Sequence, residues 1–244
     1  MFGLVIYIMR LDRFLSEMKI GTRSVLKKEI RRGAVTIDGA VVKDPSTSVT
    51  PNSTVTYNGK PVSFVEFQYY ILNKPAGVVT ATEDKRHETV CDLLPEGARR
   101  DIFPVGRLDI DTEGLILLTN NGSLAHKMLA PKSHVDKKYY ARIRGEVTSA
   151  DVEAFQTGFQ YDEDLYSLPA DLEILGSGPR TTEVYVTIHE GKFHQIKKMF
   201  LARGMEVSYL KRVTFGPLSL PEELSQGDCR ELSEIEISLL KEYM

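Results

Sequence analysis

Three carboxylates spaced two apart, Asp109, Asp111 and Glu113, stand in GRLDIDTEG, immediately ahead of an apolar run from Leu115 to Thr119. Three carboxylates within five residues are enough to hold a divalent cation. The same residue types also favour a turn through local hydrogen bonding, which is the commoner outcome in an arbitrary sequence. No Ser-His-Asp pattern, phosphate-cradling glycine-rich loop or HExxH accompanies them. Arg107 precedes Asp109 by two, so in an extended stretch the two side chains share a face. A second group lies in FHQIKKM, with His194, Gln195, Lys197 and Lys198. A lone histidine is more often structural than catalytic, and no second one suggests a metal. Residues 190–213 hold six Lys/Arg against two acids, a local positive potential. Cys91 and Cys229 are too few for a disulfide framework or a zinc site and read as packed small hydrophobes in a reducing compartment.

The elements that must position these groups alternate between strand and helix. YYILNKPAGVVTAT predicts a strand, a break at Lys74-Pro75 with Gly77, and a second strand. GLILLTNNG predicts a buried strand stopped by Asn121-Gly122, and SLAHKMLAP a short helix with Leu124, Met128 and Leu129 on its apolar face. KKYYARIRG and TEVYVTIHEG alternate as strands, so Tyr139 and Tyr140 point to opposite faces. HQIKKMFLARG predicts a helix with Ile196, Met199 and Phe200 inward, ended by Gly204. Strand-rich segments with a few helices give an α+β class.

The first part of the chain is different in character. Residues 1–67 carry ten Lys/Arg against six Asp/Glu, while the remainder carries 21 against 28, giving the net charge of −3. Charge that divides this way counts for more than its total. Within residues 10–32 a helix is expected from about Leu11 to Met18, with Leu11, Phe14 and Leu15 inward. A second is expected over TRSVLKKEIRRG, N-capped by Thr22 and stopped by Gly33. On it Leu26 and Ile30 face the core, while Arg23, Lys27 and Arg31 form a basic stripe, with Lys28 and Arg32 in the next row. Two hairpins follow, turning at Asp38-Gly39 and Asn58-Gly59. No apolar run has the length of a membrane span. The opening MFGLVIYI lacks the basic leader and cleavage site of a signal peptide and reads as an extension or first strand ahead of a natural start near Met9. A cytoplasmic protein is expected.

MRLDRFLSEMKIGTRSVLKKEIRRGAVTIDGAVV resembles the S4 RNA-binding module, with Arg10, Leu11, Asp12, Phe14, Leu15, Gly21, Thr22, Arg23, Ile30, Gly33, Val35 and Gly39 at matching positions. GRLDIDTEGLILLTNNG resembles the signature of RNA pseudouridine synthases, in the branch acting on bacterial small-subunit rRNA. LNKPAGVV, VDKKYYARIRG and EGKFHQIKKMFLARGMEVSYLKRVTFGPLSL resemble further motifs of that family, in the expected order. Asn121 departs from the aspartate usual there, a turn position with local effect. The resemblance implies an S4 domain over 1–60, a linker over 61–68, and over 69–244 a catalytic domain built on a mixed, largely antiparallel sheet with flanking helices.

It also implies roles. Asp109 is the catalytic carboxylate, able to attack ribose C1′, attack C6 or deprotonate the sugar; the sequence leaves these open. Tyr139 stacks on the target base or assists proton removal at C5. Lys197 pairs with Asp109, since a cation within about 4–6 Å favours the ionised form of a carboxylate. Asp111 and Glu113 are structural. Arg10, Arg13, Arg23, Lys27, Lys28, Arg31 and Arg32 contact RNA from the first domain; Arg107, His194, Gln195 and Lys198 do so from the second. The implied partner is 16S rRNA in an assembling small subunit, bound by a monomer without metal, cofactor or membrane. The target uridine must leave the RNA stack to reach a pocket, at a cost of a few kcal/mol. Three alternatives stand beside this: the same reaction on 23S rRNA, where Asn-Arg-Gln would be usual in place of FHQ; a non-catalytic RNA-binding or ribosome-assembly protein; and a uracil methyltransferase, which would want a reactive cysteine that neither Cys91 nor Cys229 resembles.

Overall fold

The computed structural model describes residues 8–63 and 65–244. It divides into two compact units: residues up to Gln68 together with Pro95–Ile102, and Tyr69–Leu94 together with Phe103–Met244. The segment expected to extend ahead of Met9 lies, apart from Ile8, outside the described residues.

In the first unit β1 (Met9–Arg10) leads into α1 (Leu11–Glu17) and α2 (Arg23–Arg31), followed by β2 (Val35–Ile37), β3 (Ala40–Val42), β4 (Ser48–Val49), β5 (Val55–Tyr57) and β6 (Lys60–Val62). Leu11, Phe14 and Leu15 from α1 and Leu26 and Ile30 from α2 are fully buried and pack with Val35, Val49 and Val55. Both hairpins turn on a left-handed pair, Asp38-Gly39 (φ 50° and 82°) and Asn58-Gly59 (φ 49° and 75°). Such turns match the twist of the flanking strands. Thr22 occupies the N-cap of α2 but makes no side-chain cap; its hydroxyl meets that of Ser24 instead. β6 runs to Val62 and pairs with β5, so the segment expected as a linker from residue 61 begins inside a strand. Residues 95–102, expected in the second domain, group with the first unit. The buried Arg99 explains it, bonding Glu17 at 2.6 Å, Asp101 at 2.8 Å and the Val65 carbonyl at 2.7 Å.

The second unit is built on a nine-stranded sheet. Its elements are β7 (Tyr69–Lys74), β8 (Phe103–Pro104), β9 (Glu113–Thr119), α3 (Gly122–Leu129), β10 (Lys137–Arg144), α4 (Ser149–Thr157), a small β11 (Gln160–Asp162) and β12 (Leu165–Tyr166) pair outside the sheet, β13 (Asp171–Ser177), β14 (Thr181–Ile188), α5 (Gln195–Ala202), β15 (Glu206–Phe215), β16 (Leu218–Ser219), β17 (Cys229–Glu231) and α6 (Glu234–Leu239). The strand order is β13-β14-β10-β15-β9-β7-β17, with β8 beside β9 and β16 beside β15. Every pairing is antiparallel except β15 with β9. β10 alternates: Tyr139, Ala141 and Ile143 enter one core with Val184, Val186 and Phe200, while Tyr140 and Arg142 face the other way. β7 and β9 are buried on both faces and anchor a second core with Leu124, Met128 and Phe215. At Gly114 (φ 99°) a Cβ would stand 2.2 Å from the Arg212 carbonyl. Only glycine lets β9 come alongside β15 there.

Two expectations change. Val78 to Thr82 forms no strand; Val79 makes a single bridge to Thr89, and the Thr80 hydroxyl bonds to Leu108. On α3 the buried face is Leu124, Ala125 and Met128, with Leu129 44% exposed. Asn121 does more than close a turn. Its Oδ1 accepts from the Leu124 amide at 3.0 Å, capping α3, and its amide nitrogen donates to the Tyr69 hydroxyl at 3.0 Å.

Candidate active site

The loop between β8 and β9 is held from beneath. Lys74, fully buried at the end of β7, donates to the carbonyls of Thr112 (2.9 Å), Pro75 (3.0 Å) and Ile110 (3.3 Å). Burial pushes this amine down to about 8, although Asp111, Glu113 and Asp109 act to raise it. The Gly77 amide bonds the Ile110 carbonyl at 2.8 Å, and the Thr112 amide closes a turn onto the Asp109 carbonyl at 3.1 Å. On the other side the Thr80 hydroxyl donates to the Leu108 carbonyl at 2.8 Å and accepts from the Leu108 amide at 3.1 Å. The turn expected from residue type is therefore present in the backbone, and it leaves the Asp109 side chain pointing outward, partly exposed.

That side chain meets α5. Ile196, Met199 and Phe200 fix the helix to the core, which places Lys197 on its free face. The Lys197 ammonium donates to Asp109 Oδ2 at 2.9 Å and to Asp111 Oδ1 at 2.6 Å. Burial alone would raise the Asp111 carboxyl, but the Lys197 ammonium holds it below the usual carboxylate range. Burial likewise acts to lower Lys197, and the two carboxylates outweigh it and lift the amine above its ordinary value. His194 Nε2 stands 3.5 Å from Asp109 Oδ1. Glu113 turns elsewhere and accepts from the Tyr209 hydroxyl at 2.6 Å. The three carboxylates thus do not converge on one point, as a cation would require.

Asp109, Lys197, Arg107, His194, Tyr139 and Leu210 line a cleft. It opens onto a wider groove that runs past Thr80, Asp84, Arg107, Asp111 and Phe193. Tyr139 is 7% exposed and belongs at once to the core and to the cleft wall. Arg107 is exposed beside Asp109, sharing its side of the loop. Gln195 is buried and braces the loop before α5: its amide donates to Glu190 and its Oε1 accepts from the Lys192 amide at 3.0 Å. Its polar atoms are therefore spent within the protein, in place of the expected RNA contact. Lys198 donates to Asp162 at 2.5 Å, which compensates much of its charge.

In the first unit the basic residues differ in how free they are. Asp12, fully buried, gathers Arg10 and Arg23 at 3.1 Å each and Lys27 at 3.8 Å. Arg13 pairs with Glu17 at 2.6 Å and Arg32 with Glu29 at 2.9 Å. Lys28 and Arg31 are exposed on α2. Reading the sequence alone missed Lys74, Thr80 and the part taken by Asp111. A lysine at the end of an apolar strand was the visible signal for the first. The i+2 spacing from Asp109 was the signal for the last.

Residues 68–202 match the sequence profile of the RNA pseudouridylate synthase family, and residues 9–55 that of the S4 domain. The chain belongs to the RNA pseudouridylate synthase family. A Bacillus subtilis relative named as an uncharacterized RNA pseudouridine synthase, YtzG, is 46% identical over 96% of this chain and 99% of its own length. The Escherichia coli ribosomal small subunit pseudouridine synthase A is 37% identical over 94% of this chain and 99% of its own. A crystal structure of a pseudouridylate synthase superposes with a TM-score of 0.67 at 35% identity, covering 95% of this chain and 99% of that one. The synthase is thus an RNA-modifying isomerase with an S4 domain ahead of its catalytic fold. Among its described residues no helix is long and apolar enough to cross a membrane.

Proposed function

We propose that the synthase converts one specific uridine of small-subunit 16S rRNA, in an assembling subunit, to pseudouridine, with Asp109 as the catalytic carboxylate and the target base everted into the cleft. The observation that carries the reading is the Lys197 ammonium 2.9 Å from Asp109 in a cleft whose wall includes Tyr139. The reaction breaks the bond from C1′ to N1, forms one from C1′ to C5, and moves a proton from C5 to N1. It is redox-neutral, so the polypeptide can supply all the groups it needs. Lys197 sets its ammonium against the Asp109 carboxylate, whose oxygens are available to attack C1′ or C6 or to take a sugar proton. Tyr139, in the cleft wall, offers its ring and hydroxyl to the bound base. Arg107, at the mouth, suits a phosphate next to the everted nucleotide. The exposed Lys28 and Arg31 on α2 are the cations best placed to follow an RNA backbone from the S4 domain.

The small-subunit assignment follows the Escherichia coli relative's name and the FHQIKKM motif. It is tested by mapping pseudouridines in rRNA from cells lacking the protein. Loss of a single 16S site is expected. Loss of a 23S site would move the assignment to the large subunit, and unchanged rRNA would leave a binding or assembly role.

A further inference from the structure

Phe193 is the most anomalous side chain near the cleft. It is 72% exposed, although a phenyl ring gains by burial, and it sits in a loop that is not loose. The Gln195 amide and carbonyl clamp Glu190 and the Lys192 amide, and the Lys192 ammonium donates to the Tyr166 carbonyl at 2.7 Å. His194 adopts a left-handed backbone (φ 53°), a conformation uncommon outside glycine. The result is a fixed aromatic pair. The Phe193 and His194 rings stack with centroids 3.8 Å apart and planes 18° from parallel, and Lys198 Nζ lies 5.8 Å from the Phe193 ring. The inner member of the pair, His194, reaches 3.5 Å from Asp109. The outer ring lines the groove and has one face covered by His194.

We infer that Phe193 is a stacking platform for the RNA base flanking the target uridine. This rests on the reading of the Asp109 cleft as the uridine site. A base laid on the outer face of Phe193 continues a stack whose far end, His194, stands 3.5 Å from the Asp109 carboxylate. The backbone must then turn sharply at the next nucleotide, which is the one delivered to Asp109. Stacking gives back part of what is lost when the uridine leaves its own neighbours. It is indifferent to base identity, so Phe193 sets register and affinity while recognition of uracil stays in the cleft. Phe193 is a positioning residue on this account.

The test uses the full chain with Phe193→Ala and Phe193→Tyr. A short oligouridine carrying one 2-aminopurine is titrated with each protein, and stacking is read as quenching of its emission. KM and kcat are then measured on a 16S rRNA transcript. Wild type and Phe193→Tyr should quench; Phe193→Ala should not, and its KM should rise about tenfold with kcat changed much less. Asp109→Ala, which keeps the platform, should still quench. Equal quenching and equal KM in wild type and Phe193→Ala would overturn the inference. Wild type that quenches yet makes no pseudouridine would leave the platform standing and defeat the proposed reaction instead.

Discussion

Replacing Lys74 with methionine separates positioning of the Asp109 loop from stability of the fold. Two large terms oppose each other at this residue. The amine is fully buried, and its depression from 10.5 to about 8 marks a cost of about 3 kcal/mol for keeping it charged at pH 7, at 1.36 kcal/mol per unit. Methionine removes that cost with a side chain of similar length. Against it, the carbonyl of Pro75 and, in the Asp109 turn, those of Ile110 and Thr112 lose their donor, at about 1–3 kcal/mol for the buried Thr112 bond and less for the two part-buried ones. The terms nearly cancel, so Lys74→Met should unfold in urea within about 3 kcal/mol of wild type. Activity should not be spared, because the Ile110 and Thr112 carbonyls flank Asp111 in the turn that carries Asp109. A displacement of about 1 Å there is enough for a loss near 100-fold in kcat/KM.

The sign of the pH dependence follows from the same shift. The native state sheds the Lys74 proton near pH 8 and the unfolded chain only near 10.5, so the unfolded state binds more protons in between and stability rises with pH across that window. Lys137, lowered to about 8 by burial, adds a similar rise. The variant should therefore keep only part of the increase seen in wild type between pH 8 and 10. Single-turnover pseudouridine formation and urea unfolding over that range are the assays. Wild-type activity in a folded Lys74→Met protein would refute the positioning argument.

Three further outcomes are expected. Lys197→Met leaves Asp109 and Asp111 without their shared cation and should lower kcat/KM by at least about 100-fold with a melting temperature within a few degrees of wild type; unchanged kinetics would remove Lys197 from the site. Substituting Lys28 and Arg31 together by alanine should weaken RNA binding and reduce the slope of log K against log salt by about 1.5 in filter binding, as two phosphate contacts require; an unchanged slope would place the RNA elsewhere. Glu236, held down to about 2 chiefly by hydrogen bonds from Arg230, stabilises the fold above about pH 4.5 and loses that contribution as pH falls toward 2. Glu236→Gln should cost about 1–2 kcal/mol in urea unfolding at pH 7, after allowance for solvent screening, and the gap to wild type should close at pH 2.

Much of the fold was legible wherever one physical signal dominated. Asp38-Gly39 and Asn58-Gly59 declared their hairpins because few other residues accept two successive left-handed conformations. Ile196, Met199 and Phe200 declared the inner face of α5, and with it the outward direction of Lys197. What escaped was set by tertiary hydrogen bonding. The Val78–Thr82 run has strand composition, yet its bonding capacity goes to Glu88, Val90 and Leu108, which fasten the loop before Asp109. Lys74 looked like the end of a strand because nothing local reveals that carbonyls 36 and 38 residues away will surround its amine. Gln195 and Lys198 carry the types expected of RNA contacts, but Glu190 and Asp162 meet them first. Arg10, Arg23 and Lys27 lie on a basic surface that a single buried carboxylate, Asp12, organises, and charge counting cannot show that.

The role of Asp109 is tested most directly by incubating purified wild type and Asp109→Ala with a 16S rRNA transcript and mapping pseudouridine by carbodiimide modification and primer extension. Wild type should give a stop at one uridine and Asp109→Ala none, with both proteins binding the transcript equally. An equal yield of pseudouridine from the alanine variant would contradict the account.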